Sequence, residues 1–240
     1  MLKGVSLDFW NTLYVGATAP ERVTLRRAAV GRMLADVGRP TADEELTELY
    51  AASGAEAERW WREEQRGYGA ADRIRWILGR VGVERPGDCE HVARAVQAVD
   101  DALTAHAPPL LPGAAAAVRA LARHLPLVVV SDTGFASGQA QDRLLERDGL
   151  ARHFAARIYS CDVGHAKPHA APFRRALRTL SLHPADLLHV GDDERTDVRG
   201  ALAAGCRAVR LDLVRAGGPS AAELVAESFA DVVDLVLRES

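Results

Sequence analysis

Short apolar runs rich in β-branched residues recur at 5–10, 125–131, 157–161, 187–191 and 208–213. From residue 125 onward, helix-like segments at 139–147, 171–180 and 196–204 separate them. A strand that is apolar throughout, rather than at alternate positions, is covered on both faces. Strands of that kind alternating with helices form a parallel sheet between two helical layers. The crossovers are then right-handed. The chain is therefore expected to be an α/β protein built on a parallel sheet.

Residues 20–107 break the rhythm and show no strand pattern. Leu25, Ala28, Ala29, Met33, Leu34 and Val37 fall on one helical face. Thr41-Ala42-Asp43-Glu44 reads as a capping box that opens the next helix. Residues 56–65 are charged around Trp60 and Trp61, and Ile74, Ile77, Leu78 and Val81 make a further stripe, followed by one at 89–103. Four or five helices thus stand between the first strand and the rest of the sheet. Pro108-Pro109 and Pro112-Gly113 mark the return. The expected division is a core of residues 1–15 with 108–240, and an inserted helical unit of residues 16–107.

Composition narrows the classes. Of 240 residues, 48% are hydrophobic and 26% charged, enough to bury a core. The net charge is -3 with no basic block, which speaks against a nucleic-acid partner. No apolar run reaches the roughly 18 residues that span a bilayer, and Asp8 interrupts the apolar start as no signal peptide would. Cys89, Cys161 and Cys206 are few and far apart. They read as reduced thiols of a cytoplasmic protein rather than a disulfide frame or a zinc site.

Four polar stretches follow expected strands, at the sheet edge where an open parallel sheet binds ligands. Asp8 ends the first strand; a buried carboxylate there is costly unless paired or metal-bound. Val128-Val129-Val130-Ser131-Asp132-Thr133-Gly134 brings a hydroxyl and a glycine turn whose backbone N–H groups suit an anion. In Gly164-His165-Ala166-Lys167-Pro168, the lysine is a point charge for a phosphate oxygen. Singly, each has an ordinary explanation: a backbone-bonded aspartate, a turn with an N-cap, a solvated lysine. The fourth, Gly191-Asp192-Asp193-Glu194-Arg195-Thr196-Asp197, gathers carboxylates that repel one another without a cation, and hard oxygen donors suit Mg²⁺.

Together and in this order, the stretches resemble the haloacid dehalogenase-like (HAD) hydrolase superfamily. The resemblance rests on Asp8 with Thr12-Leu13, the helical insertion, Ser131-Asp132-Thr133-Gly134, Lys167-Pro168, and Gly191-Asp192 with Asp197, Gly200-Ala201 and Ala204-Gly205. It spans nearly the whole chain. It implies a Rossmann-like core with a helical cap, Mg²⁺ as cofactor, and phosphoryl transfer through an aspartyl-phosphate. By position, Asp8 is then the nucleophile and a metal ligand, and Asp192 a second carboxylate ligand. Asp193 and Asp197 stand nearby or act through water. Ser131, with the backbone N–H groups of Asp132 and Thr133, holds phosphate oxygens, and Lys167 offsets their charge. The implied substrate is a small phosphorylated metabolite.

One position departs from the pattern. Where phosphatases of the superfamily usually carry a second aspartate, two residues after the nucleophile, this chain has Trp10. The backbone carbonyl at Trp10 still suits the metal, but an indole N–H shuttles no proton at neutral pH. General acid/base help is worth roughly 10²–10⁴-fold, and its loss falls hardest on alkyl phosphates. His165, Glu194 and Asp132 are the candidate replacements. Two other readings follow from Trp10: a weak or inactive protein that binds a phosphorylated ligand or partner, and a 2-haloacid dehalogenase, a class that resembles this chain in carrying an aromatic at that position. Among the remaining residues, His189 reads as a satisfied core histidine and Trp76 as packing. One of Trp60 and Trp61 reads as half-exposed at the cap–core seam. Arg59, Arg62 and Arg66 read as a solvated helix face.

Overall fold

A computed structural model describes residues 1–83, 90–214 and 217–240. The stripe expected at 89–103 begins at Cys89, which lies outside the described residues; its helix runs Glu90–Ala105.

In chain order the elements are β1 (Gly4–Leu7), α1 (Pro20–Asp36), α2 (Asp43–Arg62), α3 (Ala70–Arg80), α4 (Glu90–Ala105), α5 (Ala114–Leu121), β2 (Leu127–Ser131), α6 (Gly138–Arg147), β3 (Phe154–Tyr159), α7 (Ser160–Val163), α8 (Ala170–Leu180), β4 (Leu187–Gly191), α9 (Arg199–Ala203), β5 (Arg207–Leu211), β6 (Leu224–Ala226) and α10 (Phe229–Glu239). The six strands form one sheet, ordered β3-β2-β1-β4-β5-β6, and every pair is parallel. The expected α/β class is borne out.

The apolar runs explain the layering. Leu127 and Val129 belong to the apolar layer shared with α5, α6 and α10, while Val128 and Val130 belong to the layer shared with α8 and α9. Successive residues of a strand point to opposite faces, so a strand buried on both sides needs apolar residues at every position. Burial of these side chains is the main favourable term in holding the sheet between its helices. The first strand is shorter than its apolar run suggests. Pairing ends at Leu7, and residues 9–14 fold back in a turn in which Asn11 takes φ 57° and its N–H donates to the Tyr14 carbonyl at 2.6 Å. β6 was not anticipated; its three residues give too little pattern to read.

Between β1 and α5, helices α1–α4 surround an apolar cluster of their own, including Val30, Met33, Leu34, Leu46, Ile74, Ile77, Leu78 and Val92. Two local expectations fail here. Ala42, not Thr41, is the N-cap of α2 and makes no side-chain bond. Thr41 turns its hydroxyl to the Arg39 carbonyl, and the helix start is instead served by Asp43, Glu44 and Glu45, whose charge suits the positive end of the helix dipole. On α1, Leu25 and Ala28 are exposed, whereas Arg22 and Arg26 join Ala29, Val30, Met33 and Leu34 on the buried face. Among the described residues, no helix is long and apolar enough to cross a membrane.

The segment after α2 fastens these helices to the sheet. Ala166 N–H donates to the Gln65 carbonyl at 2.8 Å, Gly67 N–H to the Gly164 carbonyl at 3.1 Å, and Thr133 Oγ1 to the Tyr68 carbonyl at 2.8 Å. The approach is so close that a Cβ on Gly67 would lie 1.8 Å from the Ser160 carbonyl oxygen. Gly67→Ala is expected to cost about 1–3 kcal/mol of unfolding free energy, as overpacking against backbone does. Urea denaturation checks this; an unchanged midpoint would show that the seam has room to yield.

Candidate active site

β1 and β4 are neighbours at the centre of the sheet, with Leu7 opposite Val190. The residues that follow them, Asp8 and Asp192, therefore emerge side by side at the C-terminal edge. Asp197 returns to the same point from a π-type turn, Glu194–Val198, that leads into α9. One oxygen from each of Asp8, Asp192 and Asp197 lies within 4.8 Å of the others, and all three residues are buried. The turn needs Gly191: a Cβ there would sit 2.3 Å from Asp197 Cγ.

Lys167 enters from the loop before α8. It is 2% exposed, and its Nζ donates to Asp8 Oδ1 and to Asp197 Oδ1, both at 2.5 Å. Asp197 Oδ1 also meets His189 Nε2 at 3.1 Å, and Asp197 Oδ2 accepts from the Asp193 N–H at 3.0 Å. Ser6 Oγ lies 2.9 Å from His189 Nδ1. A carboxylate only accepts, so these partners assign a ring that donates at Nε2 and accepts at Nδ1. Burial lowers the His189 pKa and keeps the ring neutral, a core histidine with both nitrogens satisfied.

The charges do not balance, and the two carboxylates divide the lysine unequally. Burial opposes ionisation of Asp197, but Lys167 and His189 outweigh it and hold its carboxyl well below the usual range. Burial also drives the Asp8 carboxyl well above that range; Lys167 pulls against this, while Asp197 and Asp192 add to it. Lys167 itself stays charged, since Asp197, Asp8 and Asp132 overcome the cost of burying it. The cluster is thus one in which Asp8 lacks enough positive charge nearby. All its donors are hard oxygens, which fits a small divalent cation such as Mg²⁺.

Asp8, Trp10, Asp132, Lys167, Asp192, Asp193 and Asp197 line one cavity of about 170 Å³. Ser131 and Thr133 do not. Ser131 is buried with its hydroxyl toward the Asp132 carbonyl at 3.5 Å, and the Thr133 N–H is already given to Ser160 Oγ at 3.0 Å. Of the candidate proton carriers, His165 is exposed and stacks on His169 at 3.9 Å between ring centroids. Glu194 accepts from Ser220 Oγ and the Ala221 N–H. Only Asp132 reaches the cavity, and its oxygens already accept from Trp61 Nε1 at 2.9 Å and the Lys167 N–H at 3.0 Å.

Trp61 of α2, with Arg66 and Tyr68 of the segment that follows it, completes the wall. Trp60 is the buried member of the tryptophan pair and Trp61 the half-exposed one at the seam. Arg59 and Arg62 are exposed ion-paired residues, but Arg66 is not merely solvated: its guanidinium lies 4.4 Å over the Trp60 ring and bonds Asp72 Oδ1 at 3.0 Å. Ser160 was missed because nothing distinguishes it from any serine at a strand end. Only the folded seam brings it to Thr133.

Comparisons with known proteins identify the family. The family model described as haloacid dehalogenase-like hydrolase matches residues 2–205. The chain is similar to a phosphoglycolate phosphatase of Salmonella typhimurium, 29% identical over 97% of this chain and 88% of that protein. Among solved structures it is similar to a 2-haloacid dehalogenase from Pseudomonas syringae pv. Tomato, with TM-score 0.70, 25% identity and full coverage of both chains. It is also similar in fold to a HAD phosphatase from Thermococcus onnurineus, with TM-score 0.67, 17% identity and 98% of each chain covered.

Removing the ammonium tests the electrostatics. Lys167→Met is expected to cost about 3–5 kcal/mol of unfolding free energy at neutral pH, because it leaves buried carboxylates without a partner. The stabilisation carried by Asp197 is present above its unfolded-state pKa of about 4 and lost as pH falls toward its depressed folded-state value. The carboxylates of the variant take up protons at higher pH than those of the parent. Its deficit is therefore expected to shrink as pH falls from neutral to about 4. Denaturant titrations across that range check this, and a pH-independent deficit would refute it.

Proposed function

Because the chain belongs to the haloacid dehalogenase-like hydrolases, we propose that it is a Mg²⁺-dependent phosphatase of a small soluble metabolite. The observation that carries this reading is the meeting of Asp8, Asp192 and Asp197 oxygens beside the Lys167 ammonium. Asp8, Asp192 and the Trp10 carbonyl would hold the ion. Asp197 has both oxygens engaged by Lys167, His189 and the Asp193 N–H, which suits it to positioning the lysine. Bound there, Mg²⁺ supplies positive charge that favours the ionised form of Asp8 and neutralises the phosphoryl oxygens.

Asp8 attacks phosphorus as the bond to the leaving-group oxygen breaks, giving the aspartyl-phosphate; water then hydrolyses that acyl phosphate, releasing inorganic phosphate and restoring the carboxylate. A carboxylate approaching a phosphate dianion meets like charge, and Lys167 offsets it from a site where low polarity strengthens its field. Ser131 and the N–H groups after it would steady the phosphoryl oxygens. For Thr133 this requires its N–H to leave Ser160 Oγ. The helices α1–α4 act as a cap, with Trp61 bound to Asp132 across the seam, and keep bulk water from the acyl phosphate.

Trp10 sets the leaving-group preference. Asp132 is committed to holding Trp61 and the Lys167 backbone, so the departing group must leave without a protein acid, or with a proton from the substrate itself. The expected substrates are phosphates of good leaving groups. With Mg²⁺, p-nitrophenyl phosphate is expected to exceed ethyl phosphate in kcat/KM by about 100-fold or more. Asp8→Asn is expected to abolish both activities and Trp10→Asp to raise the second. Equal efficiency toward the two esters in the unaltered chain would overturn the leaving-group account. Independently of turnover, Mg²⁺ at 100 times its Kd is expected to stabilise the fold by about 2.7 kcal/mol. Thermal unfolding should show this, with Asp192→Asn losing most of it.

A second reading has its own support in the aromatic at Trp10 and the 25% identity with a 2-haloacid dehalogenase. There Asp8 displaces halide from the carbon bearing it, with no metal required. Chloride release from 2-chloropropionate in the presence of a chelator, with no phosphate release from any ester, would establish this reading in place of the first.

A further inference from the structure

Two arginines of α1 are buried with little to satisfy their charge. Arg22 and Arg26 stand one turn apart, 4% and 8% exposed. The Nε of each is fully buried and finds no acceptor. Among the described residues, neither guanidinium forms an ion pair. Arg22 donates only from Nη2 to the Ala17 carbonyl, and Arg26 lies 5.7 Å over the Phe135 ring. Arg26 also feels two like charges, Arg22 and the buried Arg73, against a single carboxylate, Asp100. Arg73 bonds only neutral partners, Ser53 Oγ at 2.8 Å and the Tyr50 carbonyl at 3.2 Å. Cations buried without partners are a standing cost, tolerated where something else completes them.

Both arginines face a cavity of about 290 Å³. It shares Trp10, Asn11, Asp132 and Gly134 with the catalytic cavity, so the two adjoin across Trp10. Asp132, a carboxylate on that shared wall, has its oxygens turned to Trp61 Nε1 and the Lys167 N–H. The second cavity therefore offers an anion two forked donors and space.

We propose that Arg22 and Arg26 bind a second anionic group of the substrate, so that the metabolite is a phosphorylated acid or a bisphosphate rather than the ester of a neutral alcohol. Which end of the ligand reacts rests on the phosphatase reading; the anion site does not. A carboxylate takes a guanidinium fork through two parallel bonds, and a second phosphate does the same with more charge. The indole of Trp10 separates the reacting phosphoryl group from the distal anion.

The probes are ethyl phosphate, phosphoglycolate and an alkanediol bisphosphate of similar length, titrated calorimetrically into the Asp8→Asn chain with Mg²⁺. At least one doubly anionic ligand is expected to bind about 10- to 100-fold tighter than ethyl phosphate. Which of the two gains distinguishes a carboxylate site from a phosphate site. Adding Arg22→Met and Arg26→Met is expected to erase the preference, with Tm unchanged or raised because an unpaired charge has been removed. Arg22→Lys with Arg26→Lys keeps the charge and should keep part of the preference. Equal or undetectable binding of all three probes overturns the proposal, and so does a preference that survives the Met substitutions. Should the Met variant fail to fold, the parent chain's preference and its retention by the Lys variant decide. Phosphate release by the chain with Asp8 intact separates the two readings. Selective binding without release from any ester sinks the phosphatase and supports the anion site. Release without preference sinks the anion site and leaves the phosphatase standing.

Discussion

A single ammonium, that of Lys167, lies buried between Asp8 and Asp197, and the site is arranged around it. A cation out of water survives only where its bonds are filled and its charge answered. Asp197 does most of that, and is itself held by His189 and the Asp193 N–H. His189 is fixed in turn by Ser6 on the neighbouring strand. The chain of contacts thus runs from the lysine through one carboxylate into the middle of the sheet. Asp8 is left as the member whose charge is least compensated, which suits the nucleophile role proposed for it.

The second organising contact is the seam. Gly67 lets one backbone lie against another, and Trp61 reaches Asp132 beside the carboxylate cluster. Arg195, from the acidic turn, covers the Trp61 ring at 4.5 Å. The inserted helices are therefore tied to the same strand ends that carry the buried carboxylates, so a change in their position is felt directly at the cavity.

The sheet was legible because continuous apolar runs have few other solutions, and the order of the polar strand ends placed Asp8, Lys167 and Asp192 together before any coordinates. What escaped has physical reasons. β6 is too short to carry a period. Thr41 failed as a cap because a neighbouring carbonyl competed for its hydroxyl. The buried face of α1 was misjudged because Leu25 and Ala28 fit a hydrophobic stripe better than Arg22 and Arg26 do, and a pattern rule assigns charge to solvent. Local rules fail most informatively where function has overruled them. Thr133 illustrates a different limit: the motif names it, but the bonds it makes in the folded chain involve Ser160 and Tyr68, which no local spacing connects to it.

The central position of β1 has one more consequence. It pairs on one side with β2 and on the other with β4, whose residues are made some 180 positions later. During synthesis Asp8 is made long before Asp192, and the groove beside β1 stays empty until β4 has been made. Contacts this distant in sequence close late and slowly. The carboxylate cluster therefore comes into being only as β4 docks, and a product cut short before β4 has Asp8 with neither Asp192 nor Asp197 beside it.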